Sequence, residues 1–259
     1  MWKSDVVIKS LVKSAFQSIG LQVERIQHPG RPNANALPDQ PAWINDIIRQ
    51  VRPYTMTGSE RIAALCQSVA HIERWNIPGD IVECGVWRGG SMMAAALCLL
   101  HLDRSRTLYL FDTFAGMGEP TSADVEALSG RPAEEMLRRS RAESLVWAIS
   151  QLHEVKENIA STGYPAERVH YIKGKVEDTI PATLPEKIAI LRLDTDWYES
   201  TRHELTHLWS QVVSGGILII DDYGHWAGSR KAVDEFCDTI EVPLFLNRID
   251  YSGRLIVKP

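Results

Sequence analysis

Three observations predict an α/β fold built on a mostly parallel sheet. Five short segments are nearly continuous in aliphatic and aromatic residues: 80–86 (DIVECGV), 107–114 (TLYLFDTF), 169–176 (VHYIKGKV), 188–194 (IAILRLD) and 216–222 (GILIIDD). Helical stretches separate most of them, notably 131–160, 198–213 and 227–240. Strands without polar alternation are buried on both faces, the pattern of parallel strands joined by helices. Finally, VPLFLNRID and GRLIVKP flank Tyr251 and Ser252, which predicts a terminal hairpin and an antiparallel edge.

The first 75 residues read as helical. They are expected to form a cap or lid segment (1–75) on a core spanning 76–259, the two making one compact domain. Residues 57–75 carry helical apolar spacing, with Pro53 and Gly58 as punctuation before them. Near the start, Trp2, Val6, Leu11, Phe16 and Ile19 among lysines predict an amphipathic helix. Its apolar face is expected to pack on the body or on a second subunit, hence an expected homodimer; a membrane-surface role is the alternative. The start lacks the compact apolar region of a signal peptide. Cys66, Cys84, Cys98 and Cys237 form no CxxC pair and sit in apolar stretches. They read as free thiols of a reducing compartment, so a cytoplasmic location is expected.

Hydrophobic residues make up 44% of the 259, enough for a large core, and the net charge is −5. No basic stripe suggests a nucleic-acid partner, and no apolar run approaches the length of a membrane span. Residues 115–130 are polar and glycine-bearing and predict a mobile surface loop or lid.

In an open α/β sheet, ligands bind beyond the carboxyl ends of the strands. The first strand ends in ECGVWRGGS (83–91), a glycine-rich turn into a helix that lets a ligand approach backbone closely. It is not GxGxxG. Glu83 inside it would repel a pyrophosphate but attract an ammonium group. Asp112 ends the next strand, placed to accept hydrogen bonds from ribose hydroxyls. With the terminal hairpin, these features favour S-adenosylmethionine over a dinucleotide.

Two consecutive strands end in acid pairs, Asp194 with Asp196 and Asp221 with Asp222. Neighbouring strands lie ~4.8 Å apart, so four carboxylates there need a compensating cation or protonation. Magnesium or manganese suits such oxygen ligands. Asp194 and Asp196 face the same way in extended chain, so one can hold the metal while the other acts on the substrate. His225 follows the second pair and is within reach of a substrate.

Residues 203–207 read HELTH, which fits the zinc-protease pattern HExxH. Leu205, Leu208, Trp209, Val212 and Val213 form the apolar stripe of that helix. At about 100° per residue, His203 and His207 fall opposite it and are expected to face water, so the match is taken as a decoy.

Taken together, GDIVECGVWRGGSMM, LYLFDTFAGM, LRLDTDWYES and GGILIIDDYGHWAGSRKAVDEF resemble the macrocin O-methyltransferase family over roughly residues 50 to 240. The resemblance implies a class I methyltransferase (Rossmann-like) fold with a seven-stranded sheet. It also implies S-adenosylmethionine as donor, dependence on Mg2+ or Mn2+, and a sugar hydroxyl as acceptor. It implies further that Asp194, Asp221 and Asp222 bind the metal and that Asp196 is the general base. Tyr54, Thr55 and Met56 would close over the cofactor. Glu83, Gly85, Val86, Trp87, Arg88, Gly89 and Ser91 would hold its methionine part, Asp112 and Thr113 its ribose, and Gly174, Val176 and Glu177 its adenine edge. Tyr198 and His225 are the candidate substrate contacts. The acceptor is expected to be a glycosylated natural product or polysaccharide. A catechol-type methyltransferase, marked by an aromatic-lined acceptor pocket, is the close alternative. A DxD metal-dependent glycosyltransferase and a non-catalytic binding module are more distant ones.

Overall fold

The computed structural model describes residues 36–139 and 148–259. The predicted amphipathic helix at the start lies outside these, as does part of the helical stretch expected over 131–160. The strands are β1 (Asp80–Cys84), β2 (Leu108–Asp112), β3 (Val169–Lys173), β4 (Ile188–Leu193), β5 (Val212–Ile220), β6 (Asn247–Arg248) and β7 (Arg254–Val257). They form one sheet in the order β3-β2-β1-β4-β5-β7-β6. The first five run parallel, whereas β7 is antiparallel to β5 and β6 is antiparallel to β7. Strand order reverses between β1 and β4, so a crevice opens at their carboxyl ends.

Eight helices surround the sheet among the described residues: α1 (Ala42–Val51), α2 (Ser59–Arg74), α3 (Gly90–His101), α4 (Ala133–Arg139), α5 (Leu152–Ala160), α6 (Val176–Thr179), α7 (Tyr198–Leu208) and α8 (Ala227–Thr239). On one face, Ile48, Leu65, Ile72, Met92 and Leu99 pack on Ile81, Leu110 and Ile190. On the other, Leu205, Leu208 and Val233 pack on Val82, Leu191 and Leu218. Each such side chain contributes ~1.5–3 kcal/mol on burial. α1 and α2 share this core, so no gap in packing marks residue 75. No described helix is long and apolar enough to cross a membrane.

Two expectations are corrected. The terminal hairpin is shorter than its apolar residues suggest. Residues 242–246 are not strand, and Val242 and Phe245 are exposed, because β6 is an edge with one neighbour. Residues 115–130 are also not a free loop. Ala127 N–H donates to His225 O (2.8 Å), Ala227 N–H to Val125 O (3.0 Å), and the Trp197 indole to Gly118 O (3.0 Å). Beneath them Asp124, fully buried, accepts from Thr121 N (2.6 Å) and from Tyr198 N (2.7 Å) at the start of α7. The segment is a fixed wall of the crevice.

Candidate active site

A cavity of about 720 Å³ lies over the ends of β1, β2, β4 and β5, a size that suits small-molecule ligands. Its first half is built by the glycine turn. Gly85 has φ +82°, and a Cβ there would lie 2.0 Å from Asp194 O, so only glycine lets β1 and β4 close up. Asp112 Oδ2 accepts from Val86 N (2.6 Å) and Trp87 N (3.0 Å), and Oδ1 from Phe114 N (2.7 Å). The ribose acid of the sequence reading is thus also the brace of the turn. Burial raises its pKa, against the pull of those amides. Gly85, Val86, Trp87, Ser91 and Thr113 line the cavity beside it, with Gly174, Val176 and Glu177 further along. Tyr54, Thr55 and Met56 form a strap across it, close over Gly90, where a Cβ would meet Tyr54 O at 2.6 Å.

Glu83, Arg88 and Gly89 sit behind this wall. Arg88 holds the strap from outside: Nη1 donates to Pro53 O (2.9 Å), Nε to Glu154 (2.7 Å), and its guanidinium lies 5.5 Å from the Tyr54 ring. Gly89 packs on Val155 and Ile159 of α5. Glu83 is 1% exposed and pairs with Arg192 (2.6 Å) instead of facing the cavity, while its Oε2 has no partner among the described residues. Burial pushes its pKa up to about 8 despite Arg192.

The second half is the acid cluster. Asp194, Asp221 and Asp222 each bring an oxygen within 4.8 Å of the others. Sequence reasoning missed what holds them. Arg192, fully buried in β4, donates from Nη1 to Asp194 (2.6 Å) and Glu83, and from Nη2 to Asp221 and to Thr57 Oγ1 (2.9 Å). Arg61 of α2 reaches the other oxygen of Asp221, and its Nε donates to Asp250 (3.0 Å). The available signal was a single charged residue inside an otherwise apolar strand. Compensation of the acids is therefore partly built into the chain.

A divalent cation still fits. Six carboxyls (Glu83, Asp194, Asp196, Asp221, Asp222 and Asp250) face two guanidiniums. The Asp222 side chain accepts from neither arginine. Burial, then the neighbouring acids, push Asp222 well above the usual carboxylate range; burial also raises Asp194 against Arg192. An all-oxygen donor set of this kind suits magnesium or manganese.

Asp196 faces the same cavity from a left-handed backbone (φ +67°). Its Oδ1 accepts from the Trp226 indole at 2.7 Å. Burial raises its pKa, opposed by hydrogen bonds with Asp222 and Trp226. Beyond it the wall is aromatic. Trp197 and Trp226 meet edge to face at 4.9 Å, His225 lies 4.9 Å from Trp226, and Tyr251 is at the rim. Burial lowers the His225 pKa, against the pull of Glu126.

Tyr198 does not join this wall. Its hydroxyl donates to Glu235 (2.7 Å) on α8, because the first turn of α7 points it away from the cavity. The decoy reading of HELTH agrees with the structure in that the histidines belong to no metal-binding cluster among the described residues. They do not simply face water, however. His203 is half-buried and Nε2 donates to Ile180 O (3.0 Å).

The sheet order, the glycine turn braced by an acid on β2 and the cavity at the switch point define a class I methyltransferase. The model of the macrocin O-methyltransferase family matches residues 7–257. The chain belongs to that family and is an S-adenosylmethionine-dependent O-methyltransferase. It is 33% identical over 201 residues to demethyldecarbamoylnovobiocin O-methyltransferase of Streptomyces niveus, covering 77% of this chain and 74% of that protein. It is equally similar, at 33%, to mycinamicin III 3''-O-methyltransferase of Micromonospora griseorubida, covering 77% and 76%. Among solved structures, the O-methyltransferase NovP superposes with a TM-score of 0.68 at 33% identity over 79% of this chain and 82% of that one.

Proposed function

We propose that the protein methylates a sugar hydroxyl of a glycosylated small molecule with the help of a divalent cation. The observation that carries this reading is the convergence of Asp194, Asp221 and Asp222 beside Asp196 in one cavity. The named relatives support this reading: by their names the two described above act on demethyldecarbamoylnovobiocin and, at a 3'' oxygen, on mycinamicin III, and a third acts on a tetracenomycin that carries a rhamnosyl group.

Asp194, Asp221 and Asp222 would hold Mg2+ or Mn2+, which would lower the pKa of a hydroxyl bound there and fix its position. S-adenosylmethionine supplies an electrophilic methyl group on a positive sulfur. Asp112 and the turn it braces would bind the ribose and methionine parts, under the strap. Asp196, held by Trp226, accepts the proton of the acceptor hydroxyl. The oxygen forms its bond to the methyl carbon as the carbon–sulfur bond breaks, giving a methyl ether and S-adenosylhomocysteine. Trp197 and Trp226 shield the reacting atoms from water, which favours a step that cancels charge.

Asp196→Asn is expected to cut turnover at least a hundredfold, within the ~10²–10⁴ range for a general base. The affinity for S-adenosylhomocysteine, read by calorimetry, should stay within twofold. Near-normal turnover would remove Asp196 from this role. A second reading is favoured by the aromatic wall: an aromatic diol as acceptor. Screening catechols beside deoxysugar glycosides separates the two. The free thiols at all four cysteines support a reducing, cytoplasmic setting. The homodimer is checked by light scattering.

A further inference from the structure

Glu204 takes no part in the reaction proposed above, yet it lies directly behind it. It projects from α7 one turn beyond Ser200 and is 0% exposed. Its Oε2 accepts from Thr195 Oγ1 at 3.2 Å, and its Oε1 is buried with no partner among the described residues. It is the acid of the HELTH stretch and is fully buried, whereas His203 and His207 lie beside each other, ring centroids 4.3 Å apart and tilted by 53°. A carboxyl enclosed this completely, with one oxygen unsatisfied, weakens a fold unless its one bond matters.

That bond goes to the residue between Asp194 and Asp196. The left-handed backbone of Asp196 is uncommon for a residue with a side chain and persists when its surroundings hold it. On the cavity side the Trp226 indole holds the carboxylate. On the opposite side the Thr195 hydroxyl is anchored by Glu204. We propose that Glu204 is a positioning residue: through Thr195 it fixes the turn that presents Asp194 and Asp196 to the cavity. This rests on the roles given to those two acids under Proposed function. Burial raises the Glu204 pKa well above the usual carboxylate range, against the pull of the Thr195 hydroxyl and with Glu177, Asp194 and Asp196 adding to the rise.

The test compares the wild type with Glu204→Gln, Glu204→Leu and Thr195→Val. Three quantities are read: amide hydrogen exchange over 193–198, Mn2+ affinity by electron paramagnetic resonance, and S-adenosylhomocysteine affinity by calorimetry. Glu204→Leu and Thr195→Val are expected to speed exchange in this turn at least tenfold, with exchange in β1 and β5 unchanged. Both should weaken Mn2+ binding about fivefold or more while leaving S-adenosylhomocysteine affinity within twofold. The neutral isostere in Glu204→Gln should restore wild-type values for all three. Thr195→Val keeps the test decisive should Glu204→Leu fail to fold. Unchanged exchange in Thr195→Val overturns the proposal, as does a Glu204→Gln variant that behaves like Glu204→Leu. A wild type that binds no Mn2+ would overturn the metal reading alone, since the exchange data still decide for or against Glu204.

Discussion

Arg192 shows how much one side chain can organise. It joins Glu83 of β1, Asp194 after β4, Asp221 after β5 and Thr57 behind the strap. Removing one partner of a buried ion network costs ~3–5 kcal/mol because the remaining charges stay buried. Arg192→Met is therefore expected to lose about that much stability in urea unfolding. Arg192→Lys should lose less, since the charge remains, but one ammonium cannot reproduce the planar fork. Its turnover should fall about tenfold or more. Asp196 makes a second prediction at this scale. With its pKa raised by burial, the basic form is lost at a pH above the ordinary aspartate range. The acid limb of kcat should lie there, and Trp226→Phe, which deletes a hydrogen bond to the carboxylate, should move it to still higher pH. An unmoved limb would mean that another group controls it.

At the scale of elements, the acid-bearing strand ends and the glycine turn were legible in the sequence because local chemistry marks them. An apolar run that stops at aspartate reads the same in the chain and in the fold. Arg192 was not legible as a hub because its partners are set by register: it stands opposite Glu83 across the β1–β4 pairing, 109 residues away in sequence. The fixed wall at 115–130 was hidden for a similar reason. Backbone bonds to His225 and Ala227 hold much of it, and backbone bonding has no residue signature. The strap gives the prediction for this scale. Arg88→Ala removes its tie to Pro53, its contact with the Tyr54 ring and its link to Glu154. S-adenosylhomocysteine affinity is expected to fall about tenfold, a loss of ~1.4 kcal/mol, with α3 and the sheet intact by circular dichroism.

Over the whole molecule, the site couples stability to pH and to cations. Burial raises the pKa of Glu83 to about 8 and also raises those of Asp194, Asp222 and Glu204. A group whose folded pKa is raised favours the folded state fully below its unfolded value and loses that contribution as pH rises through the folded value. Protein treated with a chelator should therefore lose Tm between about pH 5 and 8. A divalent cation bound to the acids should offset that loss. Parallel Tm profiles with and without Mg2+ would refute cation binding at this cluster.

The C-terminal hairpin carries a consequence for how the protein comes into being. Its turn is stapled to the second acid pair: Ser252 Oγ donates to Asp221 O (2.6 Å), Gly224 N–H donates to Ser252 O (2.9 Å), and Asp250 holds Arg61. Synthesis proceeds from the N-terminus, and segments can begin to fold as they emerge. The donor turn and the parallel strands are thus all available before residues 250–252 leave the ribosome. Until those residues arrive, Arg61 lacks one of its two carboxylates and the loop after β5 lacks its clamp. The nascent chain can hold the shape of the parallel sheet before it holds a finished site, which waits for β7 to insert between β5 and β6 and to carry Ile256 into the core.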